Sequence, residues 1–229
     1  MAKSLEKINH AIVSCKRCPE LRLYCATVAR EKRRAYAEET YWGKPVPAFG
    51  DANARVLLVG LAPGAHGSNR TGRPFTGDAS GDFLYPALFR AGFASQPVAR
   101  DREDGLVLHD CLITSAGRCA PPQNKPTPQQ LRNCEPFLFA EFDALSELKV
   151  VVGLGKIGFD AIARVLSERG FSFEAKPVFG HGVEYLATKG KRSITLIGTF
   201  HPSRQNTNTG KLTAPMFDAI FARAKALLE

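Results

Sequence analysis

A short apolar run followed by a loop rich in glycine and proline constrains the fold of this chain more than any other feature. The run Ala54-Arg-Val-Leu-Leu-Val-Gly60 is rich in branched residues and predicts a buried strand. The loop from Leu61 to Asp78 follows it, and a helix is predicted to begin at Ser80 with Asp78 or Ser80 as its N-cap. A strand, a loop and a helix in this order are the repeating unit of α/β folds.

Later segments repeat this alternation. Further strands are predicted at three apolar runs, Leu106-Val-Leu108, Leu148 to Val152 and Ser193 to Gly198. Helices are predicted at four segments, Met1 to Tyr41, Pro128 to Leu145, Gly158 to Arg169 and Ala214 to Leu228. We therefore expect one domain over residues 1–229, with an N-terminal helical segment of about residues 1–45 that carries cysteines. Its fold class is a three-layer α/β/α sandwich around a mainly parallel four-stranded sheet.

Ligands of open parallel sheets bind where the strands end, so the Gly60 to Asp78 and Phe200 to Thr213 loops are the candidate site. The chain has 31 Lys and Arg against 22 Asp and Glu, a formal charge of +9. Such an excess favours nucleic acid as the partner, although a merely basic surface would give the same count. No apolar run approaches the roughly 20 residues of a membrane span, and the start has no secretory signal, so we expect a cytoplasmic protein with no membrane contact.

Four of the six cysteines fall in two spaced pairs, Cys15 with Cys18 and Cys119 with Cys134. Disulfides are improbable in a chain without signs of export, and four thiolates suit either a structural zinc or a [4Fe–4S] cluster. Spacing alone does not choose between the two, and small buried hydrophobes are the third interpretation. That third interpretation fits Cys25 and Cys111 better.

Two loops carry residues suited to a base taken out of a nucleic acid duplex. In the first, Gly60-Leu-Ala-Pro-Gly64 offers backbone amides and Phe75 offers a flat apolar face, although Phe75 could equally be plain core packing. In the second, Phe200-His-Pro-Ser-Arg-Gln-Asn206 presents His201 at the end of a strand, followed by short polar donors that suit phosphates.

Together these motifs resemble the uracil-DNA glycosylase superfamily, from Cys15 to Thr213. The two cysteine pairs resemble its iron–sulfur branch, and Leu61-Ala62 resembles type B, also called family five. The resemblance implies a monomeric DNA-repair enzyme that removes uracil from DNA, with a [4Fe–4S] cluster on Cys15, Cys18, Cys119 and Cys134. It implies base-binding residues at Gly60, Leu61, Ala62, Gly64, Ala65, Phe75 and Ser115. It also implies that Ser203, Arg204, Gln205 and Asn206 contact DNA.

The resemblance gives His201 the role of donating a hydrogen bond to O2 of the leaving pyrimidine. Many relatives carry a polar residue where this chain has Ala62, so Asp78 is the candidate that holds the water or stabilises the sugar cation. A plain N-cap is the other interpretation of Asp78. Ser115 stands where many relatives have Asn, and a hydroxyl discriminates between base edges less than an amide does. We therefore expect broad specificity that reaches hypoxanthine, xanthine and etheno or oxidised pyrimidines.

Two other functions fit parts of the sequence. The loop Gly153-Leu-Gly-Lys-Ile-Gly158 matches the dinucleotide fingerprint and predicts an NAD(P) or flavin oxidoreductase, with Glu174 as the ribose partner. However, that fingerprint usually occupies the first strand-to-helix turn, so close packing of the helix on the strand is the alternative. The second alternative function is a non-catalytic, metal-bearing DNA-binding module. It gives His201, Asp78 and Phe75 no shared role.

Overall fold

A computed structural model describes residues 4–229. Its helices are α1 (Leu5–Val13), α2 (Pro19–Glu31), α3 (Ser68–Thr71), α4 (Ala79–Arg90), α5 (Pro128–Ala144), α6 (Lys156–Glu168), α7 (Arg204–Asn208) and α8 (Ala214–Ala226). Its strands are β1 (Phe49–Gly50), β2 (Val56–Gly60), β3 (Cys111–Ser115), β4 (Val150–Leu154), β5 (Ser172–Phe173), β6 (Glu184–Lys189) and β7 (Arg192–Thr199). Short 3-10 turns lie at Arg34–Tyr36 and Pro122–Asn124.

The strands form one sheet in the order β1-β3-β2-β4-β7-β6-β5. The four central strands, β3, β2, β4 and β7, run parallel, while β1, β6 and β5 add antiparallel edges. Every residue of β2, β3 and β4 is buried, as expected for parallel strands covered on both faces. The parallel strands therefore end together at one edge, where Gly60, Ser115, Leu154 and Thr199 lie.

Helices cover both faces of the sheet, which confirms the predicted three-layer sandwich. On one face α4 and α8 pack on β2, β3 and β4 through side chains such as Leu84 and Phe217. On the other face α5 and α6 pack through Phe142 and Phe159. α4 begins at its Asp78 N-cap, and α5 begins at a capping box of Thr127 and Gln130.

One predicted strand is wrong. Leu106 and Leu108 are buried, but Leu108 makes only an isolated bridge to Ala94, and Val107 is exposed. The chain then turns through Asp110, whose φ is +56°, and the parallel strand begins one residue later. The apolar run at residues 106–108 therefore indicated buried core residues and not a strand paired by hydrogen bonds. The antiparallel edge strands β1, β5 and β6 were not predicted; they are short or half exposed.

The N-terminal segment is helical, but it forms two helices instead of one. α1 ends at Val13, the Cys15 to Cys18 turn follows, and α2 begins at Pro19. α1 packs its buried Ile8 and Ile12 on α5. The first three residues of the predicted helix lie outside the described part of the chain. Within residues 4–229, no helix combines the length and the apolar character that a membrane crossing requires.

Candidate active site

A cavity of about 870 Å³ opens at the edge where the parallel strands end. Its walls are the loops that follow β2, β3 and β7, together with Tyr24 of α2, the turn after α2 and the segment before β1. Of the residues predicted from the sequence, it is lined by Leu61, Ala62, Gly64, Ala65, Phe75, Asp78, Ser115, His201, Ser203, Arg204 and Gln205. Tertiary structure thus brings two loops about 140 residues apart in sequence into one site.

Phe75 forms the inner wall of the cavity. Its side chain is buried, and its φ of +50° is rare for a bulky residue, so the surrounding loop must hold this conformation. The ring lies over Gly60, where a Cβ atom would stand 2.9 Å from Phe75 Cζ. Gly60 itself therefore sits behind Phe75, in register with the neighbouring Ser115 on β3. Glycine at this strand end is what lets the aromatic face and the Ser115 hydroxyl share one wall.

Asp78 divides its two carboxylate oxygens between two tasks. Oδ1 accepts from the backbone N–H groups of Ser80, at 3.0 Å, and Gly81, at 3.2 Å, which is the predicted N-cap. Oδ2 lies beside Gly64 and Gly67, and a Cβ on Gly67 would stand only 2.0 Å from it. Within residues 4–229 no group hydrogen-bonds Oδ2. Burial raises the pKa of Asp78, against the two backbone hydrogen bonds, which lower it.

The His201 ring packs beside Phe75 in the lining of the cavity, with ring centroids 5.7 Å apart and planes tilted by 32°. Burial lowers the pKa of His201 to about 4, so the ring is neutral at pH 7. A neutral imidazole has one N–H donor and one acceptor nitrogen. The ring can therefore donate a hydrogen bond into the cavity without bringing a buried charge.

The four residues predicted to contact DNA have different positions on α7. Arg204 and Gln205 are exposed and line the mouth of the cavity. Ser203 is the N-cap of α7 and accepts from the N–H of Asn206 at 3.4 Å. Asn206 turns inward, and its Nδ2 donates to the carbonyl of His201 at 2.8 Å. Arg204 and Gln205 are thus free to face a ligand, while Asn206 fixes the backbone of His201.

The Gly153 to Gly158 loop is used for packing. A Cβ on Gly153 would stand 2.4 Å from Phe159 Cα, and a Cβ on Gly158 would stand 2.1 Å from the carbonyl oxygen of Val59. These glycines let α6 lie close on the sheet, which confirms the packing interpretation. Glu174 belongs to a separate pocket with Glu184 and Tyr185. Neither the Gly153 to Gly158 loop nor Glu174 lines the cavity at the ends of the parallel strands, so the dinucleotide hypothesis gains no support from this site.

The cysteines gather at one corner, beside the cavity. Cys18, Cys25, Cys119 and Cys134 are buried, Cys15 is half buried, and all are free thiols. Burial raises the pKa of Cys134 to about 11, and the nearby thiols of Cys119 and Cys18 add to this shift. Within residues 4–229 no three ligating side chains stand close enough to hold a single metal ion. Cys111 lies in the core of β3, as predicted, whereas Cys25 contacts Cys119 and belongs to this corner.

Several cavity residues were not predicted from the sequence. His66 lies in the first loop, and its Nδ1 is hydrogen-bonded to Tyr41 Oη at 3.0 Å. Arg33 of the basic run Arg30 to Arg34 also lines the cavity, because α2 ends at Glu31, before it. The remaining additions include Tyr24, Tyr36, Val46, Pro47, Arg118, Gln123 and Asn124. His66 had a signal in the sequence, because it lies inside the glycine-rich loop, and Arg33 had one in its basic run.

Comparison with known proteins decides the family. The model of the family described as "Uracil DNA glycosylase superfamily" matches residues 47–225, which include both loops of the cavity. The chain belongs to the uracil DNA glycosylase superfamily. Within this superfamily, it is 47% identical to a type-5 uracil-DNA glycosylase of Thermus thermophilus over 97% of each chain.

Two further members of the superfamily indicate its subdivision. A type-5 uracil-DNA glycosylase of Mycobacterium tuberculosis is 46% identical over 99% of this chain and 82% of its own. A type-4 uracil-DNA glycosylase of Thermotoga maritima is 32% identical over 67% of each chain. The similarity to these type-5 enzymes is thus both higher and more extensive than the similarity to that type-4 enzyme.

Proposed function

We propose that this chain is a monofunctional DNA glycosylase that hydrolyses the N-glycosidic bond of uracil and of other damaged bases in DNA, leaving an abasic site. The observation that carries the proposal is the meeting of Phe75, Asp78 and His201 in one cavity of about 870 Å³. An aromatic face, a carboxylate and a neutral imidazole are the groups that this reaction needs around a flipped base. The names of the type-5 relatives support the same substrate class.

Base binding is the task of the inner wall. Phe75 stacks on the flipped base, and the backbone of residues 61–65 supplies amide groups for its polar edge. Ser115 adds one hydroxyl at the bottom of the wall, where its residue is 9% exposed. A hydroxyl can serve as donor or acceptor, so it accepts several base edges instead of selecting one. We therefore propose a broad specificity that includes hypoxanthine, xanthine and ethenocytosine.

His201 stabilises the leaving group. Cleavage leaves negative charge on O2 of a pyrimidine, and the neutral ring donates its N–H to that oxygen as the charge develops. A neutral donor costs less to bury than an imidazolium. One donor of this kind typically contributes about two to three orders of magnitude in rate.

Asp78 acts on the other side of the bond. Ala62 offers no polar side chain to a water molecule, whereas Oδ2 of Asp78 faces the cavity without a protein partner among the described residues. This oxygen holds the attacking water or stabilises the positive charge on the sugar. The backbone bonds to Oδ1 meanwhile fix the carboxylate in place, so the N-cap and the catalytic role are compatible.

We propose that Cys15, Cys18, Cys119 and Cys134 hold a [4Fe–4S] cluster. Their surroundings fit a negatively charged group: Asn133 Nδ2 donates to Cys18 Sγ at 3.2 Å, and the positive charge of Arg22 lowers the pKa of Cys119. Nη1 of Arg22 is buried without any partner in the described chain. Such a cluster takes one thiolate on each of four irons, so its ligands stand further apart than those of a single ion. When bound, it joins the N-terminal turn to the segment after β3.

DNA lies across the mouth of the cavity in this proposal. Arg204 and Gln205 on one side and Arg33 on the other are exposed there and suit phosphates. The net charge of +9 favours association with a polyanion. We expect a monomer to be sufficient, because every group named above belongs to one chain.

The test is cleavage of labelled duplexes that each contain one uracil, hypoxanthine, xanthine or ethenocytosine, by anaerobically purified protein, followed by alkali to reveal abasic sites. We expect the wild-type protein to cleave several lesions. In His201→Ala the cleavage rate should fall by about two to three orders of magnitude. Arg90→Ala, on the surface opposite α8 Asp218, is the matched control and should cleave like wild type. Cleavage of none of the lesions by protein with intact thiol ligands would overturn the proposal, and strict uracil preference would overturn its breadth.

A further inference from the structure

We propose that His181 is a positioning residue that fixes His201 by holding the residue before it, Phe200. This inference depends on the role proposed above for His201. His181 lies in the turn between β5 and β6, in the sequence Gly180-His181-Gly182, and no feature of the cavity includes it. Three independent contacts connect it to the end of β7.

Backbone packing brings the turn against the strand end. The N–H of Gly182 donates to the carbonyl of Gly198 at 2.8 Å, and the N–H of Gly198 donates to the carbonyl of Val183 at 2.9 Å. A Cβ on Gly198 would stand 2.5 Å from the carbonyl oxygen of Gly180. Glycine at residue 198 therefore permits this close approach, and the His181 side chain reaches Thr199, the last residue of β7, and Phe200 after it.

The imidazole acts as a hydrogen-bond acceptor at that point. Nδ1 of His181 lies 3.1 Å from Oγ1 of Thr199 and 3.4 Å from the backbone nitrogen of Phe200. A backbone N–H can only donate, so Nδ1 must be unprotonated for the second bond. The hydroxyl of Thr199 can then donate to the same nitrogen.

The ring also holds the Phe200 side chain. The rings of His181 and Phe200 are stacked, with centroids 5.1 Å apart and planes 23° apart. Nζ of Lys211 lies over the Phe200 ring as well, 4.8 Å from its centroid. Phe200 is thus fixed by both its backbone nitrogen and its side chain.

Consecutive residues of the chain are held by three different elements as it enters the cavity. The carbonyl of Thr199 accepts from the N–H of Gly155 at 2.8 Å, and the carbonyl of His201 accepts from Asn206 at 2.8 Å. His181 supplies the constraint between these two, at Phe200. Without it, the chain between two fixed carbonyls could rotate and move the His201 ring away from the leaving oxygen. Small displacements of a donor of this kind reduce the rate of the chemical step strongly.

A matched pair of substitutions separates the acceptor from the ring. His181→Phe keeps an aromatic ring against Phe200 and removes the acceptor, whereas His181→Asn keeps an acceptor at nearly the position of Nδ1 and removes the ring. We expect single-turnover cleavage by His181→Phe to fall about tenfold with unchanged DNA affinity, because one hydrogen bond is lost. His181→Asn should stay within about threefold of wild type. Equal losses in the two variants would overturn the proposal.

Two further measurements distinguish positioning from general loss of structure. Hydrogen exchange of the Phe200 amide should accelerate about tenfold in His181→Phe and not in His181→Asn. In a His201→Ala background, His181→Phe should cause no further loss of rate, because its effect passes through His201. Additive losses would overturn the proposal. If His201→Ala cleaves like wild type, the role of His201 itself fails, and amide exchange alone decides whether His181 holds Phe200.

Discussion

The two loops that form the walls of the cavity are fixed in different ways. The first, residues 61–78, is held by its own buried arginines, which make contacts both within the loop and outside it: Arg70 donates to the carbonyls of His66 and Gly77, both at 2.8 Å, and pairs with Glu39. Arg73 is buried and donates to Thr76 Oγ1 at 2.9 Å. The second loop, which begins at Phe200, has no buried ion pair among the described residues; hydrogen bonds from His181, Gly155 and its own Asn206 fix residues 199–201.

This difference assigns different consequences to substitutions in the two walls. The first wall is preformed by buried polar contacts, so breaking one of them leaves an unpaired buried group and costs stability. The second wall is held by partly buried hydrogen bonds between neutral groups, so substitutions there should change rate and affinity more than stability. The first wall, which binds the base, is therefore preorganised. The second wall, which contacts DNA, can adapt more easily.

The largest effect is expected where the first wall is anchored. Arg73 and Asp104 form a buried ion pair at 2.6 Å, with side chains 3% and 6% exposed. Asp104→Ala leaves the guanidinium buried and unpaired, and should lower the free energy of unfolding by about 3 kcal/mol in urea denaturation. The control is Asp218→Ala, which breaks the exposed pair with Arg90 and should cost less than about 1 kcal/mol. Similar losses of unfolding free energy in Asp104→Ala and Asp218→Ala would contradict the proposal that the buried pair anchors the first wall.

The next effect separates the two tasks of Asp78. Asp78→Asn keeps an oxygen that caps α4 and removes the charge from the cavity. Single-turnover cleavage should fall by about two orders of magnitude. The thermal midpoint should not decrease at pH 7, since burial disfavours the carboxylate. Asp78→Ala should show the same fall in cleavage rate and, in addition, a free energy of unfolding lower by about 1 kcal/mol. If Asp78→Asn cleaves at the wild-type rate, Asp78 acts only as the N-cap of α4 and has no catalytic role.

A smaller effect concerns the pH dependence of stability. Burial lowers the pKa of His201 to about 4, below the roughly 6.5 of an unfolded histidine. The unfolded chain therefore binds the extra proton first, and stability is lost as the pH falls from about 6.5 towards 4. Burial also lowers the pKa values of His66 and His181, with the same sign. Between pH 7 and 5, His201→Phe should lose about 1 kcal/mol less unfolding free energy than wild type. Identical pH profiles would contradict a buried neutral ring.

The smallest effect is expected at Arg204, the exposed residue that begins α7 in the second wall. Arg204→Ala should weaken binding to a lesion-containing duplex about threefold at low salt, and reduce the salt slope of the binding constant by about one. The chemical step under saturating enzyme should be unchanged, which fluorescence anisotropy and single-turnover rates together would show. Arg164→Ala, on the exposed face of α6 with its partners Glu135 and Glu168, is the control. A lowered chemical step in Arg204→Ala would mean that Arg204 also positions His201.

Local sequence signals determined much of this protein. Branched apolar runs predicted β2 and β4, since a strand covered on both faces is apolar throughout, and they also predicted β7, whose second half is buried. Asp78 was identifiable as an N-cap, and the glycine-rich loop and the residues after Phe200 were identifiable as the candidate site. These features depend on neighbouring residues alone, so a single sequence carries them.

Only the tertiary structure decided the rest. Leu106 and Leu108 looked like a strand because burial, not strand pairing, selects apolar residues. Arg33 lines the cavity because α2 ends before it, and His181 reaches Phe200 because Gly198 allows the turn to pack closely on the strand end. Each of these results depends on contacts between residues far apart in the chain. A local pattern does not encode such contacts, because they form only when the sheet brings distant loops to one edge.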